Sequence, residues 1–112
     1  MNTVTIRRDK DGNITGVTSE GHSGFAESGQ DIVCAAISVL VINTVNSLES
    51  FTAADFETAI NAEDAVISFD IKNYKDRDVS ILLKSLLLGL ESICENYGNE
   101  YIRIIFKEVQ AE

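Results

Sequence analysis

The chain has 112 residues, with 9 basic and 18 acidic side chains and a formal charge of −9. That length fits one domain, residues 1–112, around a single hydrophobic core. The acidic balance argues against general binding to nucleic acid or to anionic lipid, which requires a basic face. Two cysteines, Cys34 and Cys94, are too few for a disulfide scaffold or a four-thiolate zinc site. Residues 1–11 are polar and charged, unlike a signal peptide, so a reducing, cytoplasmic setting without membrane attachment is the expectation.

Val4 and Ile6 alternate with polar residues and predict a first strand over residues 2–8. Asp9-Lys10-Asp11-Gly12-Asn13 is a turn cluster in which Asp-Gly supplies the left-handed backbone that a hairpin needs. A second strand returns over residues 14–20. Gly21, Gly24 and Gly29 fall close together, so residues 21–30 read as a mobile loop. A long helix is expected over residues 32–49, with Asp31 as its N-cap. Its apolar residues, among them Ile32, Val33, Ile37, Val39 and Ile42, point in nearly every direction. Such a helix packs on the sheet and on something more, either the second helix or another subunit.

Phe56, Thr58 and Ile60 alternate as a third strand. Ala62-Glu63-Asp64 makes a turn, and residues 66–71 alternate as a fourth strand. Residues 73–78 are a charged connection. A second helix is expected over residues 79–97, with Val79, Leu82, Leu83, Leu86, Leu90, Ile93 and Tyr97 on one stripe and Gly98 closing it as a C-cap glycine. Residues 101–109 form the last strand. The order ββαββαβ predicts a two-layer α/β domain, a mixed sheet with two long helices packed on one face. Ile81 and Leu88 stand opposite the buried stripe, seven residues apart. With the all-round apolar first helix, they predict a helix-mediated homodimer.

The chemistry concentrates between residues 21 and 38. His22, the single histidine, sits where a strand becomes a loop. Cys34 is placed in the first turn of the helix if Asp31 caps it, where unpaired amides favour a thiolate. Asp31 partly opposes that effect, and a neighbouring imidazolium would offset it. The loop is long enough to bring His22 to Cys34, and a thiolate with a histidine is the minimal machinery for acyl transfer. Backbone amides of residues 30–34 are candidate oxyanion donors. Asp31 could cap the helix or orient His22. Ser38, one turn beyond Cys34, could hydrogen-bond near the site or back to the Cys34 carbonyl. The loop residues Ser23, Gly24, Phe25 and Gly29 are expected to act as a lid, with Phe25 either lining the substrate pocket or anchoring the loop. Cys94 reads as a core thiol. His22, Cys34 and Asp31 lack structural-zinc spacing, and the glycines lack the pattern of a phosphate loop, so neither metal nor cofactor is expected.

The segment Gly21-His22 … Gly29-x-Asp31-Ile-Val-Cys34-Ala-Ala-x-Ser38 resembles the signature of the ribosomal-processing cysteine proteases. The resemblance implies a cytoplasmic, cofactor-free, homodimeric bacterial endopeptidase. Its substrate would be large-subunit ribosomal protein L twenty-seven, whose Phe-rich hydrophobic N-terminal extension it would remove by cutting after an aromatic residue. The family's catalytic histidine and cysteine match His22 and Cys34. The negative charge suits a basic ribosomal substrate. The alternatives are a non-enzymatic acidic adaptor that binds a ribosomal or other basic protein, and a redox-sensing thiol at Cys34.

Overall fold

The elements follow the expected order: β1 (Asn2–Arg8), β2 (Ile14–Glu20), α1 (Ser28–Phe51), β3 (Phe56–Asn61), β4 (Val66–Ile71), α2 (Arg77–Tyr97) and β5 (Ile102–Glu108). The structure, a computed structural model, describes residues 1–21 and 28–110, with side chains from residue 32 onward in α1. The strands form one sheet in the order β3-β4-β2-β1-β5. All neighbours are antiparallel except β1 and β5, which are parallel, so the sheet is mixed as anticipated.

Register explains how a single sheet face becomes the core floor. Ile6 stands opposite Val17, Val17 opposite Phe69, and Val4 opposite Ile104. Because side chains alternate along a strand, these residues share one face. They pack with Val33, Ile37, Val41 and Leu48 of α1 and with Val79, Leu83, Leu86 and Leu90 of α2. The opposite face is polar: Arg7 donates from Nε to Asp70 Oδ1 at 2.7 Å, from Nη1 to Thr18 Oγ1 at 2.6 Å and from Nη2 to the Phe69 carbonyl at 3.0 Å.

The β1–β2 turn is built as its composition requires. Gly12 takes φ 86°. Asp9 Oδ1 accepts from the backbone amides of Asp11 and Asn13, both at 2.9 Å, while Oδ2 accepts from Asn13 Nδ2 and the Tyr74 hydroxyl, both at 3.0 Å. These donors, the Asn13 side chain foremost, hold the Asp9 carboxyl down at about 2 despite its burial. Burial first, then Asp9, pushes the Tyr74 hydroxyl above its usual range.

Both helices begin earlier than expected. In α2 the cap is Asp76, whose Oδ1 accepts from the amides of Asp78 at 3.0 Å and Val79 at 3.2 Å. Its first turn is polar, so the first apolar residue, Val79, marks the core and not the helix start. Gly98 ends α2 at φ 83° and donates its amide to the Cys94 carbonyl at 2.8 Å. α1 begins at Ser28, so Asp31 lies inside its first turn and does not cap it, and Gly29 belongs to the helix instead of the loop. Propagating an established helix costs little per residue, which lets the weak formers Ser28 and Gly29 join a long apolar helix.

Residues 32–51 of α1 are apolar enough to cross a membrane by length and composition. Their inner stripe is nevertheless part of the core of a globular domain, through Val33, Ile37, Val41 and Leu48. The outer side stays open, with Ile32 54% and Val39 66% exposed. Within one chain, then, α1 is buried along one stripe and not all round.

Candidate active site

The sheet and α1 converge at the C-terminal end of β2. Gly21 follows that strand directly and extends its ladder, donating its amide to the Ala65 carbonyl at 2.9 Å. Ala65 ends the β3–β4 turn with φ 52°, a left-handed backbone that is uncommon for a residue other than glycine. From the other layer, α1 brings up Cys34, which is half-buried. The fit at Gly21 is close: a Cβ there would lie 3.4 Å from Cys34 Sγ, 3.2 Å from Asn2 Oδ1 and 3.5 Å from the Ala65 methyl. The thiol therefore sits against the backbone of the residue that precedes the single histidine.

Cys34 opens into a cavity of about 150 Å³. Ile37, Ile60, Val66 and Ile67 supply apolar walls, while Asn2, Ser19 and Ser38 add polar groups. Asn2 is buried and fixed, since its Nδ2 donates to the Tyr101 carbonyl at 3.1 Å. Ser38 lines the same cavity and makes no bond back to the Cys34 carbonyl among the described residues. Thr44, by contrast, donates to the Leu40 carbonyl at 2.8 Å.

Of the residues singled out in the sequence, the structure brings Gly21, Cys34 and Ser38 together. His22, Ser23, Gly24 and Phe25 lie outside the described residues. Asp31 and Gly29 are placed only as backbone in the first turn of α1. Because α1 starts at Ser28, Cys34 is in its second turn and not the first. With α1 starting at Ser28, the amides left without helical acceptors lie at its first turn, ahead of Cys34. The helix-terminal field at the sulfur is correspondingly weaker, because that effect fades within one turn.

The wall from β3 and the β3–β4 turn, with Ile60, Asn61, Ala62 and Ala65, had no sign in the sequence. Only strand order brings it to Cys34. The second cysteine is chemically different. Burial first, then Glu91 and Glu95, pushes the Cys94 thiol above its usual range, and Cys94 packs against the core. No group of three or more His, Cys, Asp or Glu side chains poised for a metal occurs among the described residues.

A thiol in an apolar cavity fits a cysteine hydrolase, and comparison with known proteins decides the matter. The family model described as cysteine protease Prp matches residues 1–103. The chain belongs to the Prp family. It is a cysteine protease that processes ribosomal protein. The ribosomal processing cysteine protease Prp of Staphylococcus aureus is 33% identical over 109 residues, covering 96% of this chain and 100% of the relative. That of Bacillus subtilis is 31% identical over 100 residues, covering 84% and 88% respectively. Two crystal structures of the essential S. aureus Prp are similar in fold. One, in complex with a substrate peptide, has a TM-score of 0.89 at 28% identity. The other, with a covalently linked product peptide, has a TM-score of 0.85 at 29% identity. Each covers 96% of this chain and 100% of its own. Membership in a protease family displaces the non-enzymatic adaptor alternative.

Proposed function

We propose that this protease removes the Phe-rich hydrophobic N-terminal extension of large-subunit ribosomal protein L twenty-seven, cutting after an aromatic residue, with Cys34 as nucleophile and His22 as general base. The observation that carries the assignment is the closeness of Cys34 to Gly21, where an added Cβ would lie 3.4 Å from Sγ. His22 is bonded to Gly21, which ties its Cα about 3.8 Å from the Gly21 Cα. His22 takes the thiol proton, and Cys34 Sγ attacks the scissile carbonyl carbon. The oxyanion is met by free amides in the first turn of α1. As the tetrahedral intermediate collapses, the C–N bond breaks and His22 returns the proton to the leaving amine. Water then attacks the thioester, aided by the same imidazole, and releases the acid and the thiol. The covalently linked product in the S. aureus relative is the kind of species this chemistry forms.

An aromatic side chain on the acyl side suits the apolar walls of the cavity beside Cys34. Asp31, within the helix, takes the role of orienting His22, and Ser38 adds a hydroxyl to the cavity. The two free thiols suit a cytoplasmic setting. Exposed Ile32, Val39 and Ile42 on α1 and Ile81 and Leu88 on α2 support a homodimer. Sedimentation should show two chains, and Leu88→Glu should give one.

The test is cleavage of a peptide spanning the extension encoded in the same genome. Wild-type protein should cut it once, after an aromatic residue. Cys34→Ala and His22→Ala should each abolish cutting while the protein stays folded. Intact peptide after prolonged incubation with folded wild-type protein would sink the assignment, as would full activity in either variant.

A further inference from the structure

We propose that the substrate peptide binds as an added strand along the free edge of β3, paired to the backbone of Phe56, Thr58 and Ile60. This rests on the substrate assignment above. β3 is an outer strand and pairs with β4 alone. In an antiparallel ladder, alternate residues turn their N–H and C=O toward the partner, and the others turn them away. Here the phase is set by the Lys72 amide, which donates to the Asp55 carbonyl at 2.9 Å. Asp55 and Lys72 continue the register that sets Glu57 opposite Asp70 and Ala59 opposite Ser68. These odd-numbered residues therefore bond to β4, and the backbone groups of Phe56, Thr58 and Ile60 face outward.

That open edge runs into the Cys34 cavity, whose rim is formed by Ile60, Asn61 and Ala62. Ile60 is 68% exposed. A peptide laid on the edge alternates its side chains. One set falls on the helix side, where the cavity takes an apolar group. The other passes the exposed carboxylates of Asp55 and Glu57 on the open face. Those carboxylates suit a basic ribosomal segment. They disfavour a second copy of this chain, which would set Asp55 and Glu57 of two β3 strands on one face. The other outer strand, β5, lies across the sheet beyond β4, β2 and β1 and contributes nothing to the cavity. Main-chain pairing supplies affinity and alternate pockets supply specificity in strand addition of this kind.

The experiment uses the peptide of the cleavage assay, N-methylated at one backbone position at a time and never at the scissile bond. Affinity is read on Cys34→Ala protein and turnover on wild type. Methylation at every second position should weaken binding about tenfold or more, because it removes a hydrogen bond and blocks close approach. The intervening positions should be unchanged. Thr58→Pro removes an outward donor from an edge strand while leaving the β4 ladder intact. It should raise KM about tenfold with kcat within twofold. Should that variant fail to fold, the methylated series on unaltered protein decides by itself. Normal cleavage with a flat profile, or losses without the two-residue period, overturns strand addition alone. No cleavage of the unmodified peptide removes the substrate assignment and this proposal with it.

Discussion

A single methyl group at Gly21 should separate folding from catalysis. In Gly21→Ala the new Cβ meets Asn2 Oδ1 at 3.2 Å and Cys34 Sγ at 3.4 Å. The backbone there is not left-handed, so alanine brings no conformational strain, and it gains about 0.4–1 kcal/mol by restricting the unfolded chain. Against this stands the tight contact with Asn2. That side chain is tied to the Tyr101 carbonyl by Nδ2 at 3.1 Å and can yield only by loosening this bond. Mild overpacking costs about 1 kcal/mol. The two effects nearly cancel, and the melting temperature should move by less than about 5 °C. Catalysis has no such compensation. The methyl covers one side of the sulfur and shifts it by a few tenths of an ångström in a cavity of about 150 Å³. Misplacement of a reacting atom by about 1 Å costs roughly a hundredfold, so a shift of a few tenths should lower kcat/KM about four- to tenfold. The assay is peptide cleavage beside thermal unfolding monitored by circular dichroism. A folded Gly21→Ala protein with kcat/KM within twofold of wild type would refute the placement of the nucleophile against Gly21.

Three further outcomes follow from the geometry. Asp9 is held at about 2, below its ordinary 3.8, so its carboxylate stabilises the fold above about pH 4 and loses that effect as pH falls toward 2. Asp9→Asn should be less stable at pH 7, and denaturant titrations should show a flatter loss between pH 4 and 2 than in wild type; parallel curves would contradict this. Iodoacetamide at pH 7 should label Cys34 faster than Cys94, whose thiol is pushed up by burial and by Glu91 and Glu95, with both labelled alike in guanidinium. Equal native rates, read by peptide mass, would count against the distinction. Ala65→Gly relieves the φ 52° backbone and should stabilise the protein by about 0.5–1 kcal/mol, measured as a higher denaturation midpoint. A lower midpoint would show that the Ala65 methyl matters more for packing than its backbone does for strain.

Strand and helix periodicity made the elements legible in advance. Val4 and Ile6 alternate, Val79 to Ile93 form a stripe, and Gly12 and Gly98 mark turns through the one property that glycine alone supplies freely. The start of α1 was not legible, because Asp31 has the chemistry of a cap and Ser28 and Gly29 that of a loop. Local preference lost there to propagation of a long helix. In the site, Gly21, Cys34 and Ser38 could be placed because they lie near one another along the chain. Ala65, Ile60 and Asn2 could not. Their approach to Cys34 depends on strand order, which periodicity does not encode, and Ala65 adopts a left-handed backbone without the glycine that would signal it.

The place of β1 has a consequence for how the molecule comes into being. β1 lies between β2 and β5, and its parallel pairing aligns Asn2 with Ile102 and Arg8 with Glu108. β1 is thus completed by a strand far along the chain. Contacts so far apart in sequence are slow to form, since a long loop must close before they give any return. A nascent chain can assemble β1–β2, α1 and the β3–β4 hairpin early, and with them most of the cavity wall. The Tyr101 carbonyl that anchors Asn2 arrives only just before β5. The cavity beside Cys34 is therefore complete only once the segment leading into β5 has been made and has closed on β1.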